Sequence, residues 1–436
     1  RIAVVLAAIA SFSALVNVVH QPVWLAITIQ MVMLALVAFA APARLAADRP
    51  RPARLTTFYL VVAVGGALGG LLNGVIAPLV FDRVLEYPLL IVTVPLLMLG
   101  LCRDGRSSEE ERRRRRVRLL MVAVLLLVPA AVLAVAVHGA PTASLVLALV
   151  GCSALVWSLT RSPRLLCAVL VASQLALLVS SDVGVIDRRR TFYGSLSVKA
   201  TEDQHRLYDG TTLHGTQFLD SRSHEPTSYY ARSGPLGDVF RARSFRDVAV
   251  VGLGAGTVAA YGEPGQAMTF FEINPAVVSV ARDPHLFTYL SDSPANVNVV
   301  TADGRLGLQS TPEASEDLIV LDAFSSDSIP VHLLTQEAVE MYATRLRPGG
   351  LLAFHISNNT FDLQPVLRAD ADALGWVAVV GGGGASEAGA TPSTWVVLAP
   401  TVEDLRGLDS LPAWRPLPSR SVAWTDDYSS VLRVLR

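Results

Sequence analysis

The stretch Val248-Ala249-Val250-Val251-Gly252-Leu253-Gly254-Ala255-Gly256 decides the fold, as an apolar run that breaks into a glycine-rich turn. Three further runs follow at strand-like length, 268–271, 297–301 and 318–321. The second ends in Glu272-Ile273-Asn274-Pro275, the third in Ala302-Asp303-Gly304 and the fourth in Asp322-Ala323-Phe324-Ser325-Ser326-Asp327. Four strands that each deliver a glycine-rich or acidic end describe an open parallel sheet, whose ligands sit beyond the carboxyl ends of the strands. Glycines at 252, 254 and 256 let the backbone turn tightly and let a ligand come close. Glu272 lies twenty residues after Gly252, where a carboxylate can accept both hydroxyls of a ribose. Asp303, followed by Gly304, is placed to hold an adenine amino group. A lone G-x-G-x-G is weak evidence; its combination with three strand-end acids makes a nucleotide site the expectation.

Downstream, the pattern predicts a helix over 332–346 closed by Arg347-Pro348-Gly349-Gly350, and a fifth strand over 351–356. A helix over 362–374 and strands over 376–380 and 395–398 complete the α/β domain, residues 246–436. The run Gly381 to Gly384 reads as a flexible loop. Residues 191–245 carry turn signals, Tyr208-Asp209-Gly210 and Leu213-His214-Gly215, between short β-like runs, and predict a small antiparallel sheet. Its polar, aromatic stretch Glu225-Pro226-Thr227-Ser228-Tyr229-Tyr230 is a second candidate site element, with half-buried packing of the tyrosines as the alternative.

Residues 1–190 differ in kind. The chain is 52% hydrophobic over 436 residues, with a mean hydropathy of +0.45, and the apolar residues concentrate here. A membrane helix needs about twenty apolar residues, and seven candidate spans are found: 2–19, 23–43, 55–81, 87–102, 118–138, 142–160 and 164–181. The third carries Gly65-Gly66, Gly69-Gly70 and Gly74, small residues that suit close helix packing. The formal net charge of −1 hides a division into +10 over 1–190 and −11 over 191–436. An acidic globular half suits a cationic substrate. The arginines at 112–116 could suggest nucleic acid, but between two spans they read as a topology anchor, and no nucleic-acid partner is expected. The Arg-rich loops 44–54 and 103–118 are assigned to the cytoplasm. Counting on from them puts the C-terminal half outside, whereas Arg188-Arg189-Arg190 after the last span argues for the cytoplasm, where the globular half is placed. Cys102, Cys152 and Cys167 match no zinc site and no disulfide framework.

The segments Leu207-Tyr208-Asp209-Gly210, 250–256, 272–275, Ala302-Asp303-Gly304-Arg305 and 321–327 together resemble the polyamine aminopropyltransferase (spermidine synthase) family. The run 322–330 and the closing Trp424-Thr425-Asp426-Asp427-Tyr428 resemble its bacterial branch, in which such a domain follows a bundle of transmembrane helices. The resemblance implies a multi-pass α-helical membrane domain of the inner membrane, followed by a Rossmann-like domain of the S-adenosylmethionine-methyltransferase type. It implies transfer of an aminopropyl group from decarboxylated S-adenosylmethionine, a co-substrate, to putrescine or a related amine, with no permanently bound cofactor and no metal. A homodimer is left open. By position Asp322 matches the catalytic aspartate, and Asp327 and Tyr229 match amine-binding residues, with Tyr230 beside them. Gly252, Gly254, Gly256, Glu272, Asp303 and Gly304 match donor-binding positions. Ala255 stands where the family has an aspartate for the donor's ammonium, and Tyr230 where it has a glutamine. The family's late tyrosine falls near Thr391, and the two acids are five residues apart where the family has three. Two alternatives remain: a methyltransferase on the same fold, and a membrane sensor or transporter that binds polyamine or nucleoside without turnover.

Overall fold

The computed structural model describes residues 49–86 and 183–436, apart from 211, 324–329, 359, 384–385 and 409–410, and scattered positions between 27 and 46. The chain divides into two compact units, Arg1–Val183 and Gly184–Arg436.

In the first unit a continuous helix runs from Pro52 to Val80. It comprises a 3-10 turn, helix α1 (Leu55–Leu71), a π-turn over Leu72–Ile76 and a last turn, Ala77–Val80. Proline at the first turn costs no hydrogen bond, because that N–H has no helical partner in any case. Leu60, Val61, Leu68 and Leu79 are all exposed. Among the described residues this is the one helix long and apolar enough to cross a membrane, and it falls on the expected third span. The other six expected spans lie wholly or largely outside the described residues. Asn73, just inside the π-turn, donates to the Gly69 carbonyl at 2.9 Å and so satisfies its amide within the helix.

The second unit opens with an antiparallel sheet of four strands in chain order: β1 (Val185–Arg190), β2 (Ser195–Ala200), β3 (Gln204–Asp209) and β4 (Thr212–Phe218). The small sheet expected after residue 191 is present, but it begins earlier. Arg188, Arg189 and Arg190 pair with Ser197, Leu196 and Ser195 across β1 and β2.

Helix α2 (Pro235–Ala242) leads into an eight-stranded mixed sheet of β5 (Asp247–Val251), β6 (Ala267–Glu272), β7 (Asn296–Thr301), β8 (Glu316–Leu321), β9 (Leu346–His355), β10 (Val377–Gly383), β11 (Ser393–Ala399) and β12 (Trp414–Pro416). Their spatial order is β12-β10-β11-β9-β8-β5-β6-β7. The strands from β9 to β7 are parallel and the other three pair antiparallel. Helices α3 (Pro275–Ala281), α4 (Gly304–Gln309), α5 (Gln336–Arg345) and α6 (Gln364–Leu374) connect strands. Val248, Val250, Leu318 and Val320 enter one core layer, and Ala249, Val251, Ile319 and Leu321 the other. Both faces are covered, which is why these strands read as unbroken apolar runs. The chain steps outward from β5 through β6 to β7, then returns to β8 on the other side of β5. That reversal opens a crevice beyond β5 and β8.

Three local expectations are corrected. Gly381–Gly383 do not form a loop: they finish β10, paired with Trp395, Thr394 and Ser393. Glycine is needed at 381 because a Cβ there would come within 2.6 Å of the Trp414 indole. The helix expected from 332 begins at Gln336, where Thr335 accepts from the Ala338 N–H as its N-cap. Arg347 to Gly350, expected to close that helix, lie in the first half of β9.

Two tests follow from this architecture. A fragment starting at Gly184 should be soluble and folded, whereas one starting at Thr191 lacks β1 and leaves β2 as an open edge; size-exclusion chromatography should show aggregation of the shorter fragment only. Asp370, on α6, is 1% exposed, and neither carboxylate oxygen has a hydrogen-bond partner among the described residues. Burial, and then the charges of Glu337 and Glu340, push its pKa well above the carboxylate range. The folded state therefore keeps a proton that the unfolded chain releases above about pH 3.9. Stability falls as pH rises from there to the raised folded pKa. Asp370→Asn should raise Tm at neutral pH by several degrees, on the order of 2–4 °C per kcal/mol, and flatten that dependence in a thermal scan.

Candidate active site

The crevice beyond β5 and β8 holds a cavity of about 220 Å³. Gly252, Gly254, Glu272, Asp303, Gly304 and Asp322 all line it, so residues far apart in sequence meet in one cavity. Gly252 has φ +96°, and a Cβ there would lie 2.1 Å from the Asp322 carbonyl oxygen. Gly254 has φ +52° and passes under the His214 carbonyl, which a Cβ would approach to 2.7 Å. Gly256 is set back from the cavity, at the start of a 3-10 turn over Thr257–Tyr261.

Glu272 closes β6 and accepts from the Leu253 N–H at 3.1 Å and the Asn274 N–H at 2.8 Å. It ties the glycine turn to the end of the next strand while facing the cavity. Burial pushes its carboxyl pKa up, and the backbone N–H donors hold it partly down. Asp303 caps α4, accepting from Leu306 N–H at 3.0 Å. Its other oxygen meets His332 Nε2 at 3.0 Å. Gly304, next to it, packs where a Cβ would strike Val251 Cγ1 at 2.2 Å.

Asp322 directly follows β8, and its N–H donates to the Val251 carbonyl at 2.9 Å. Its side chain is 5% exposed. One carboxylate oxygen accepts from the Tyr230 hydroxyl, and the other meets His355 Nδ1 at 2.6 Å. Tyr229 stacks on the His355 ring at 4.4 Å, and its hydroxyl lies 3.4 Å from that of Tyr230. Burial first, then the charge of Asp322, push both tyrosine pKa values upward, so both remain protonated donors. Neither tyrosine lines the cavity; they brace Asp322 from behind. Ser228, just before them, is buried at φ +55° and is pinned to the 389–391 segment by hydrogen bonds to Gly389 and from Thr391. Asp327 lies outside the described residues.

Several neighbours escaped the sequence reading. His214 and Asp209 line the cavity, and burial lowers the His214 pKa. The turn signals at 208–210 and 213–215 located these residues without revealing where they point. Ala255 is 1% exposed, in a small core with Val198, Leu207 and Phe287, with its Cβ against Gly215. It does not line the cavity. Asp426, in the acidic closing segment, is spent on Arg305 in a two-pronged pair at 2.7 Å, which pulls its pKa down to about 2.

No family model matches the chain. A probable polyamine aminopropyl transferase of Bifidobacterium longum is 25% identical over 170 residues, 38% of this chain and 36% of that protein. A polyamine aminopropyltransferase of Vibrio vulnificus is 27% identical over 177 residues, 38% of this chain and 58% of that protein. The chain is similar to polyamine aminopropyltransferases. It spans only 36% and 58% of these two relatives. Among solved structures, a probable spermidine synthase from Corynebacterium glutamicum matches 57% of this chain and 97% of its own, at 17% identity and a TM-score of 0.41.

Removing a charged acceptor should cost methylthioadenosine binding about 1.5–3 kcal/mol in Glu272→Ala. Because the Glu272 pKa is raised, wild-type affinity should fall on acidification at a higher pH than the ordinary glutamate value of about 4.3. Glu272→Gln should bind weakly at every pH, without that inflection. Calorimetry across pH reads both effects, and unchanged affinity in both variants rejects Glu272 as a donor ligand.

Proposed function

We propose that this chain is a membrane-anchored aminopropyltransferase that uses decarboxylated S-adenosylmethionine as donor and putrescine or a related amine as acceptor. The observation that carries the reading is Asp322, held rigidly at the mouth of β8 in the cavity that Glu272 and Asp303 also line. Glu272 would accept the ribose hydroxyls. Asp303 would take the adenine amino group, sharing its carboxylate with the α4 cap and His332.

The acceptor is a primary amine, protonated in water near the lysine reference pKa of about 10.4. Asp322 takes one proton from that ammonium; the freed nitrogen lone pair then forms a bond to the carbon beside the sulfonium, and the C–S bond breaks with its electron pair passing to sulfur. The products are a secondary ammonium and a thioether. Asp327 would hold the far ammonium of a diamine. With Ala255 turned away against Gly215, the cavity carboxylates left for the donor's ammonium are Asp209 and Asp322.

The helix Pro52–Val80 supports a membrane anchor. We place the other apolar segments of 1–190 in the bilayer with it, and the domain that follows on the cytoplasmic side.

Asp322→Asn keeps the shape and removes the base, so turnover should fall by about 10²–10⁴. Asp327→Asn should chiefly raise KM for the amine. Initial rates against amine concentration, with products identified by mass spectrometry from both decarboxylated and ordinary donor, separate these outcomes from methyl transfer. A near-normal turnover number in Asp322→Asn rejects Asp322 as the base. No product from the unmodified protein favours binding without turnover.

A further inference from the structure

Three neighbouring strands place one row of side chains along the cavity edge of the sheet. Leu321 of β8 pairs with Phe354 of β9, so the following residues, Asp322 and His355, stand side by side. His355 in turn pairs with Trp395 of β11. The His355 ring lies between Tyr229, at 4.4 Å and 18°, and Trp395, at 4.8 Å and 25°. A ring sandwiched in this way cannot turn freely, so the direction of Nδ1 is fixed. That nitrogen sits 2.6 Å from Asp322 Oδ1, with both side chains about 5% exposed.

The chemistry sets the roles. An ionised carboxylate only accepts hydrogen bonds. Tyr230 already donates to its other oxygen. A contact as short as that with His355 therefore requires an N–H on Nδ1, a charge-assisted bond in a dry site. Two donors from opposite sides leave the remaining lone pairs of Asp322 pointing into the cavity. Among the described residues, the titratable groups around His355 include Asp322, Tyr229, Tyr230 and His214.

We propose that His355, protonated at Nδ1 and held between Tyr229 and Trp395, is a positioning residue that aims the Asp322 carboxylate at the acceptor amine. This rests on the reading of Asp322 as the base. His355 does not touch the substrate; it acts through the carboxylate it holds.

Two substitutions in the full chain separate the donor from the ring. His355→Phe keeps a flat ring between Tyr229 and Trp395 and loses the donor. His355→Gln loses the ring and keeps an N–H donor. Misplacing a reacting group by an ångström costs on the order of 10²-fold, so His355→Phe should lose turnover on that scale, with KM for the amine and affinity for methylthioadenosine unchanged. His355→Gln should keep most of the turnover. Wild-type turnover in His355→Phe, or an equal loss in both variants, overturns the proposal. A measurement independent of turnover is ¹⁵N NMR of imidazole-labelled histidine in the full chain in detergent, with the His355 signal assigned by its absence in His355→Gln. Nδ1 should carry the proton in the unmodified protein, and the signal should move in Asp322→Asn. A bare Nδ1 overturns the assignment even if no donor or amine supports turnover, an outcome that would count instead against Asp322 as the base.

Discussion

The close approach of Gly252 to Asp322 is the constraint on which the site depends. Strands β5 and β8 are neighbours in space, although β6 and β7 intervene in the chain. Their ends run so close that the Asp322 carbonyl occupies the place a side chain at 252 would need. The Asp322 N–H is anchored on Val251 at the same point. The glycine turn and the acid are therefore held in one rigid relation by the two central strands. The sheet supplies the precision that proximity effects demand of the base proposed here. A looser connection would leave the carboxylate beside the glycine turn without a defined direction.

Around that point, several polar groups that face the cavity also serve the fold. Glu272 closes the gap between the glycine turn and the start of α3, and Asp303 starts α4. Buried acceptors left unmatched would be costly, and Glu272 and Asp303 each have backbone donors. His332, on the loop after β8, reaches Asp303, and Arg305 clamps the closing segment through Asp426. The cradle is thus satisfied before any ligand enters, and only the lone pairs facing the cavity remain for recognition.

The sequence shows the sheet well because its central strands are buried on both faces, and such strands cannot hide among polar residues. Asp322, Glu272 and Asp303 are legible in position for a related reason: each stands at the end of an apolar run or within two residues of it. What the chain order conceals is lateral contact. His355 lies at the end of a strand that the apolar run 351–356 identifies, yet nothing local reveals that β8 and β11 flank it with Asp322 and Trp395. Gly381–Gly383 have loop composition and strand structure because they pair with Trp395, Thr394 and Ser393, and at 381 the Trp414 indole fills the space a side chain would take. Arg188 to Arg190 look like a topology signal and also form the edge strand of the small sheet. For His355 and Gly381 the deciding partner is distant in sequence, so no local periodicity records it.

Environment, and not residue type, divides the carboxylates into roles. Asp426 is exposed and paired with Arg305, which drives its pKa down to about 2 and makes it a permanent anion suited to clamping. Glu272 is buried among backbone donors, with its pKa raised, so its charge is held less securely and a ligand hydroxyl can contribute to keeping it. Asp370 has no hydrogen-bond partner among the described residues and almost no solvent, and is driven toward the neutral acid. Asp322 differs from all three: it is as buried as a core residue, yet both of its oxygens have partners, and it still reaches the cavity. A carboxylate with partners on both oxygens and one side on a cavity meets an incoming group from one direction only, and the proposed role of base rests on that geometry more than on the number of acids in the crevice.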